Sequence, residues 1–298
     1  CGIADDMLST TIMATKAPVV FAPAANTNMF LNPIVQDNIK KLKQYGYEFI
    51  EPDSGRLACG DVGSGKLADT KLISDVVISR LYDTKDLIGK KVLVTAGPTI
   101  ASIDPVRYIT NRSSGKMGYA IAEEARDRGA EVILISGPSN IEKPWGIKVI
   151  DVSINEEMLN AVEKHFEWAD IVIKAAAVAD YKPKTYSEKK IKKSEEEFSL
   201  QLHKDTDILK KLGSMKKNQI LVGFAAESND LIQNAKTKLE KKNLDYIVAN
   251  DITDKDAGFA TNDNRVNILC RDGNCIPLEK MSKRKVAREL FNLINKKR

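Results

Sequence analysis

The chain has 298 residues, 43% hydrophobic and 29% charged, with a net charge of +5 and a pI near 8.8. That length suits about two domains with real cores, and the mild positive excess, spread along the chain, suits anionic small molecules rather than nucleic acid. No run of about 18 apolar residues predicts a membrane span, no signal peptide is visible, and four cysteines (Cys1, Cys59, Cys270, Cys275) without metal spacing indicate a reducing, cytosolic setting.

The opening Cys1-Gly2-Ile3-Ala4-Asp5-Asp6 reads as the middle of a helix-forming region, so further sequence is expected upstream. Ala17–Pro23 is expected to be a buried strand. A helix is expected over about 33–45, where Ile34, Ile39, Leu42 and Tyr45 share a face, and another over about 71–81. The glycine-rich stretch 53–70 reads as a loop. Together these make part of an α/β layer. The polar break Tyr82–Asp86 closes the segment, giving domains 1–86 and 87–298.

A new α/β unit then starts. Strands are expected at 91–97, 131–137, 170–173, 220–224 and 245–248, with helices at 118–128, 155–169 and 230–243 between them. Alternation of this kind predicts a doubly wound, mostly parallel Rossmann-like sheet, and continuous apolar runs fit strands covered on both faces. Residues 265–270 and 275–278 should form a hairpin around Arg271–Asn274, followed by a helix from Ser282. Cys270 and Cys275 flank that turn, and no further zinc ligands lie near them in sequence.

In such a sheet, ligands bind beyond the carboxyl ends of the strands. The loop from Gly97 to Gly118 is long, hydroxyl-rich and basic, and a helix opens at its end, which suits a phosphate or carboxylate. It is not a P-loop, because Thr110 stands where that motif needs glycine and Met117 follows Lys116; nor is it the compact dinucleotide fingerprint. In the small-residue run Ala175–Ala179, a flat ligand can approach the backbone. Asp180 after it suits an amino group, a metal or a turn cap. By themselves Lys189–Lys193 are a solvated surface or a mobile phosphate clamp. Lys238 and Lys242, four apart, share a helix face that either meets solvent or reaches a polyphosphate.

These stretches closely resemble the phosphopantothenate–cysteine ligase family. They are Gly97-Pro98-Thr99, Asp104-Pro105-Val106-Arg107, Asn111–Gly118, Ala176–Tyr181, Lys190–Lys193, Asp207-Ile208-Leu209, Val222–Glu227, Lys241–Asp245 and Ala249-Asn250-Asp251, in order. The resemblance implies a 4′-phosphopantothenate carboxylate attacking CTP to give an acyl-cytidylate and pyrophosphate, then L-cysteine displacing CMP, with Mg²⁺. It implies that Asn111 holds the acyl intermediate near Arg107 and Ala176, and that Asp180 reads the base or places Mg²⁺. Lys190 steadies the triphosphate, while Lys174, Ala175, Ala176, Thr206, Asp207, Ile208, Leu209, Phe224, Lys238 and Lys242 complete the CTP site. A homodimer through this domain is implied, growing to a larger homo-oligomer at full length.

The first segment is similar to the second half of the flavodoxin-like, FMN-dependent phosphopantothenoylcysteine decarboxylases, on Gly2–Asp6, Pro23–Phe30 and Gly55–Lys66. That implies Asn26 on the substrate carboxylate and Cys59 as proton donor. Ala25 departs from the family's usual Met. The family's catalytic histidine is expected upstream of residue 1, and neither His165 nor His203 replaces it, so this polypeptide is expected not to decarboxylate. An NAD(P)-dependent oxidoreductase and a non-catalytic flavoprotein scaffold are the competing readings.

Overall fold

The computed structural model describes residues 2–57, 60–192, 199–227, 230–251 and 261–296. The chain forms two compact units that divide between Asp83 and Thr84.

The first unit contains α1 (Met7–Ala14), β1 (Val20–Phe21), α2 (Thr27–Phe30), α3 (Pro33–Gln44), β2 (Glu48–Phe49), β3 (Asp53–Arg56), β4 (Val62–Lys66) and α4 (Thr70–Arg80). Its helices start where the side chains dictate. Asp6 accepts from Ser9 N at 2.8 Å, and Asn32 accepts from Ile34 N at 2.9 Å with Pro33 at the first helical position. The expected buried strand at 17–23 contracts to two half-buried residues, because among the described residues β1 pairs with β2 alone. The stretch 53–70, expected as a loop, holds the antiparallel β3–β4 hairpin. Glycine content misled the reading: ladder pairing needs only backbone groups, and a Cβ on Gly65 would lie 2.2 Å from the Ala25 carbonyl oxygen. Burial is thin. Phe30, Ile50, Leu57, Ala68 and Val76 are buried, whereas Met7, Val62, Ile34 and Leu81 are exposed.

The second unit runs β5 (Lys91–Ala96), β6 (Ile100–Ser102), β7 (Tyr108–Thr110), α5 (Lys116–Asp127), β8 (Glu131–Ser136), β9 (Lys148–Asp151), α6 (Asn155–Phe166), β10 (Ile171–Lys174), β11 (Tyr181–Pro183) and β12 (Leu202–Lys204). It continues with α7 (Ile208–Met215), β13 (Ile220–Glu227), α8 (Leu231–Lys241), β14 (Tyr246–Asp251), β15 (Asp263–Cys270), β16 (Cys275–Ser282) and α9 (Lys283–Lys296). Eight strands form one sheet in the order β16-β15-β14-β13-β10-β5-β8-β9. From β9 to β14 all pairs are parallel, and the β15–β16 hairpin adds two antiparallel strands. This is the expected mostly parallel, doubly wound α/β architecture.

The apolar runs explain the layers. Along β5, Val92 and Val94 enter one core with α5 and α9, while Leu93 enters the other with α6, α7 and α8; all three are fully buried. The chain winds from β5 to β8 and β9 on one side, then returns to β10 on the other. The order therefore reverses between β5 and β10, and the loops after them face one crevice.

A buried ionic cluster joins α5 to α9 and to the unit's first residues. Arg128, whose side chain is 2% exposed, donates Nε to Asp86 at 2.7 Å and Nη1 to Asn292 at 3.0 Å. Arg284 meets Glu124 at 2.8 Å, Glu123 at 3.2 Å and also Asp127. Asp86→Ala leaves the buried Arg128 charge with Glu124 at 4.0 Å, so it should cost about 1.5–3 kcal/mol in urea denaturation. Arg128→Met should cost less, because it removes the charge as well. Equal losses would refute this account.

Candidate active site

The crevice between β5 and β10 is built by stitching two loops together. Ala177 N donates to Gly97 O at 2.9 Å and Thr99 N to Ala177 O at 3.2 Å. The threonine hydroxyls of the first loop accept from the second: Thr95 from Ala176 N at 3.2 Å and Thr99 from Ala179 N at 2.9 Å. Asn111 adds the cross-stitch, donating Nδ2 to Ala177 O at 2.9 Å and to Val178 O at 3.1 Å. Asn111 is exposed and lines the cavity described below.

α5 opens at Gly115 with no side-chain cap, so its first N–H groups remain available to an anion. Gly118 lets that helix end sit against the sheet, since a Cβ there would lie 2.5 Å from Ala96 Cβ.

A cavity of about 380 Å³ occupies this crevice. One wall carries Asn111, Lys116 and Gly118; the strand end supplies Lys174 to Val178 and Asp180. Opposite stand Thr206 to Leu209, Phe224 to Ala226, Lys238 and Lys242. Asp207 caps α7 through Lys210 N at 3.0 Å and pairs with Lys242 at 2.7 Å. Those contacts hold its carboxyl below the usual range, against the opposing effect of burial. Lys174 donates to Ala176 O at 2.7 Å. Burial first, then the Lys242 and Lys238 charges, push its ammonium down to about 8, against the pull of Asp180 and Asp207. An apolar shelf beside a cluster of lysines is suited to a nucleotide.

Of the residues expected in one site, Asn111, Lys174, Ala175, Ala176, Asp180, Thr206, Asp207, Ile208, Leu209, Phe224, Lys238 and Lys242 all line this cavity. Arg107 and Lys190 do not. Both are exposed, and their loops are clasped together by Asp104. That buried carboxylate accepts from Val106 N and Arg107 N at 2.8 Å each and from Ile191 N at 3.2 Å. Arg107 Nη2 donates to Ile191 O at 2.9 Å. Cys59 lies outside the described residues, as do Lys193 and the side chain of Asp251. The cavity also contains Asn264 and Lys283, which no local motif marks; they arrive from β15 and α9 by tertiary pairing. Among the described residues, no group of three or more His, Cys, Asp or Glu is placed to hold a metal. No described helix is long and apolar enough to cross a membrane.

In the first unit, Asn26 accepts from Asn28 N at 2.9 Å and donates to Asp61 at 3.4 Å. The neighbouring Thr27 hydroxyl is buried and has no partner among the described residues. An orphaned hydroxyl beside Gly63, where a Cβ would lie 2.3 Å from it, fits the polar edge of a bound FMN.

Residues 87–297 match the family described as DNA/pantothenate metabolism flavoprotein C-terminal domain, and residues 1–82 match the family described as Flavoprotein. The chain is similar to the coenzyme A biosynthesis bifunctional protein CoaBC of Bacillus subtilis (strain 168), with 49% identity over 98% of the chain and 73% of the relative. It is also similar to a cysteine/cysteine sulfinic acid decarboxylase of an unknown prokaryotic organism, at 44% identity over 98% of the chain and 83% of the relative. Among solved structures, the C-terminal domain of a coenzyme A biosynthesis bifunctional protein CoaBC superposes with a TM-score of 0.61 at 44% identity, covering 71% of this chain and 96% of that one.

Proposed function

The chain belongs to the DNA/pantothenate metabolism flavoprotein family, whose relatives include bifunctional coenzyme A biosynthesis proteins, and we propose that its second unit is a CTP-dependent phosphopantothenate–cysteine ligase. The observation that carries this reading is the single cavity in which Asn111, Lys174, Asp180, Asp207, Phe224, Lys238 and Lys242 converge.

In this reading, Phe224, Ile208 and Leu209 shelve the base, and Asp180 accepts from its amino group. Lys174, Lys238 and Lys242 hold phosphate oxygens. A 4′-phosphopantothenate carboxylate oxygen attacks the α-phosphorus of CTP, and the bond to pyrophosphate breaks. The neutral cysteine amine then attacks the acyl carbon, CMP leaves with the carboxylate oxygen it gained, and the nitrogen loses its proton. Preorganised charge supplies the rate and no protein nucleophile is needed. Mg²⁺ enters with the nucleotide.

Arg107 and Lys190 act from the arm that Asp104 clasps. That arm exposes Val106 (58%), Tyr108 (56%) and Tyr186 (54%), apolar surface that supports a homodimer through this unit. Light scattering is expected to give at least twice the chain mass.

FMN, held beside Thr27, would supply oxidation of the cysteinyl moiety when bound, with Asn26 on the substrate carboxylate. Decarboxylation by the first unit is read as CO₂ release from phosphopantothenoylcysteine in an FMN-supplemented assay.

The decisive test is pyrophosphate release with Mg²⁺, 4′-phosphopantothenate and cysteine, with CTP and ATP run in parallel. Release that needs CTP and the pantothenate acid is expected. No release with either nucleotide would overturn the ligase reading.

A further inference from the structure

The lysines of the cavity fall into two groups. Lys242 and Lys174 act on Asp207, and Lys238 acts on Lys174. Lys116 and Lys283 form a second group, fixed by the start of β15. Lys116 Nζ donates to Asn262 Oδ1 at 2.8 Å, and Lys283 Nζ donates to Thr261 O. Lys283 is only 6% exposed although it lines the cavity. Burying an ammonium is costly; the nearby Lys116 adds to that cost and Asp263 offsets part of it.

Two amides share this part of the lining. Asn250 and Asn264 are 8% and 4% exposed, and the Oδ1 of each has no partner among the described residues. β14 and β15 place them near each other, Asn250 lying opposite Val266 in the ladder. Orphaned buried acceptors are rare and indicate a missing donor. In this orientation of the amides a bare phosphate cannot supply one, because it would set acceptor against acceptor. The waters of a hydrated divalent cation can. Mg²⁺ typically keeps several waters and is carried by substrate phosphates, and no described carboxylate cluster competes for it.

Resting on the nucleotide reading above, we propose that Lys116, Lys283, Asn250 and Asn264 seat the pyrophosphate end of the nucleotide together with its hydrated divalent cation. The two ammoniums take phosphate oxygens. The two amide oxygens accept from water on the cation. The seat therefore holds the leaving group, separately from the lysines around Asp207. Burial and the neighbouring Lys116 push the Lys283 ammonium down to about 8 against the pull of Asp263, so an arriving polyphosphate would also bring proton uptake.

Calorimetric titration of the whole chain with CTP, CMP and inorganic pyrophosphate, each with Mg²⁺, tests the assignment. In Lys283→Gln, affinity for CTP and for pyrophosphate should fall by roughly ten- to a hundredfold, while CMP affinity stays within about twofold. Lys116→Gln, at a more accessible helix start, should repeat that selective loss and decides the matter if Lys283→Gln does not fold. Asn264→Leu should raise the Mg²⁺ concentration needed for half-maximal CTP binding. Equal losses for CTP and CMP, or no loss, would overturn this seat while leaving the ligase reading intact. A wild-type chain that binds neither CTP nor CMP would overturn both.

Discussion

Replacing Asn111 with Asp is expected to lower kcat/KM for ligation by about three orders of magnitude, the scale of losing a preorganised polar contact at the reacting group. Both donors of the Asn111 amide are committed, to the carbonyls of Ala177 and Val178. An aspartate offers no donor at neutral pH and sets a negative charge against those two oxygens. It would also repel the substrate carboxylate that this reading brings to the same point. Asn111→Ala should be milder, because it removes the cross-stitch without adding a charge. Steady-state kinetics with both variants, alongside CTP titration, separates the effects: CTP binding should change by less than about tenfold in either. An aspartate variant as active as the wild type would remove Asn111 from the mechanism.

Legibility followed burial. β5, β8, β10 and β13 were evident because strands covered on both faces must be apolar throughout, and a continuous run such as Val92-Leu93-Val94 permits little else. β9 was missed. It is a four-residue edge strand with exposed Lys148 and Asp151 at its ends, so it carries no such signal. The β6–β7 and β11–β12 hairpins were hidden for a related reason: three-residue strands clasp one loop to another without facing a core. In the first unit, β3–β4 was obscured by the glycines its close packing requires.

The same logic divides the site. Strand-end loops announce themselves through glycine, asparagine and serine, and there the resemblance and the cavity pick out the same residues. Lys283 and Asn264 lie beyond the reach of local reading, because nothing near Met281-Ser282-Lys283 distinguishes it from an ordinary helix start. Only the pairing of Asp263 with Ser282 brings them to the crevice. Arg107 and Lys190 show the converse. Grouped with the cavity by role, they are placed by the fold on a separate clasp built around Asp104.

Lys174→Met is expected to make the second unit more stable and worse at binding CTP. The folded-state pKa of about 8 lies below the ordinary 10.5, so burial opposes the charged form by about 3 kcal/mol at neutral pH. Methionine removes that penalty but also the hydrogen bond to Ala176 O, worth about 1 kcal/mol. The net gain of about 2 kcal/mol should raise Tm by roughly 4–8 °C at pH 7. The sign with pH follows from proton counts. Between pH 8 and 10.5 the unfolded chain holds a proton that the native chain has lost, so wild-type stability rises with pH across that window. The advantage of the variant should therefore shrink from pH 8 upward, vanish at roughly pH 10 and reverse slightly beyond it, where only the lost hydrogen bond counts. Binding runs the other way: wild-type affinity for CTP should weaken as pH climbs above about 8, while the variant stays weak and flat. Bound phosphates favour the ammonium and move the onset upward. A stability–function trade of this kind is the mark of a charge kept for a ligand rather than for the fold. Thermal melts and CTP titrations at several pH values test both halves. A variant that loses stability at pH 7, or keeps wild-type affinity, would show that Lys174 serves the strand end and not the nucleotide.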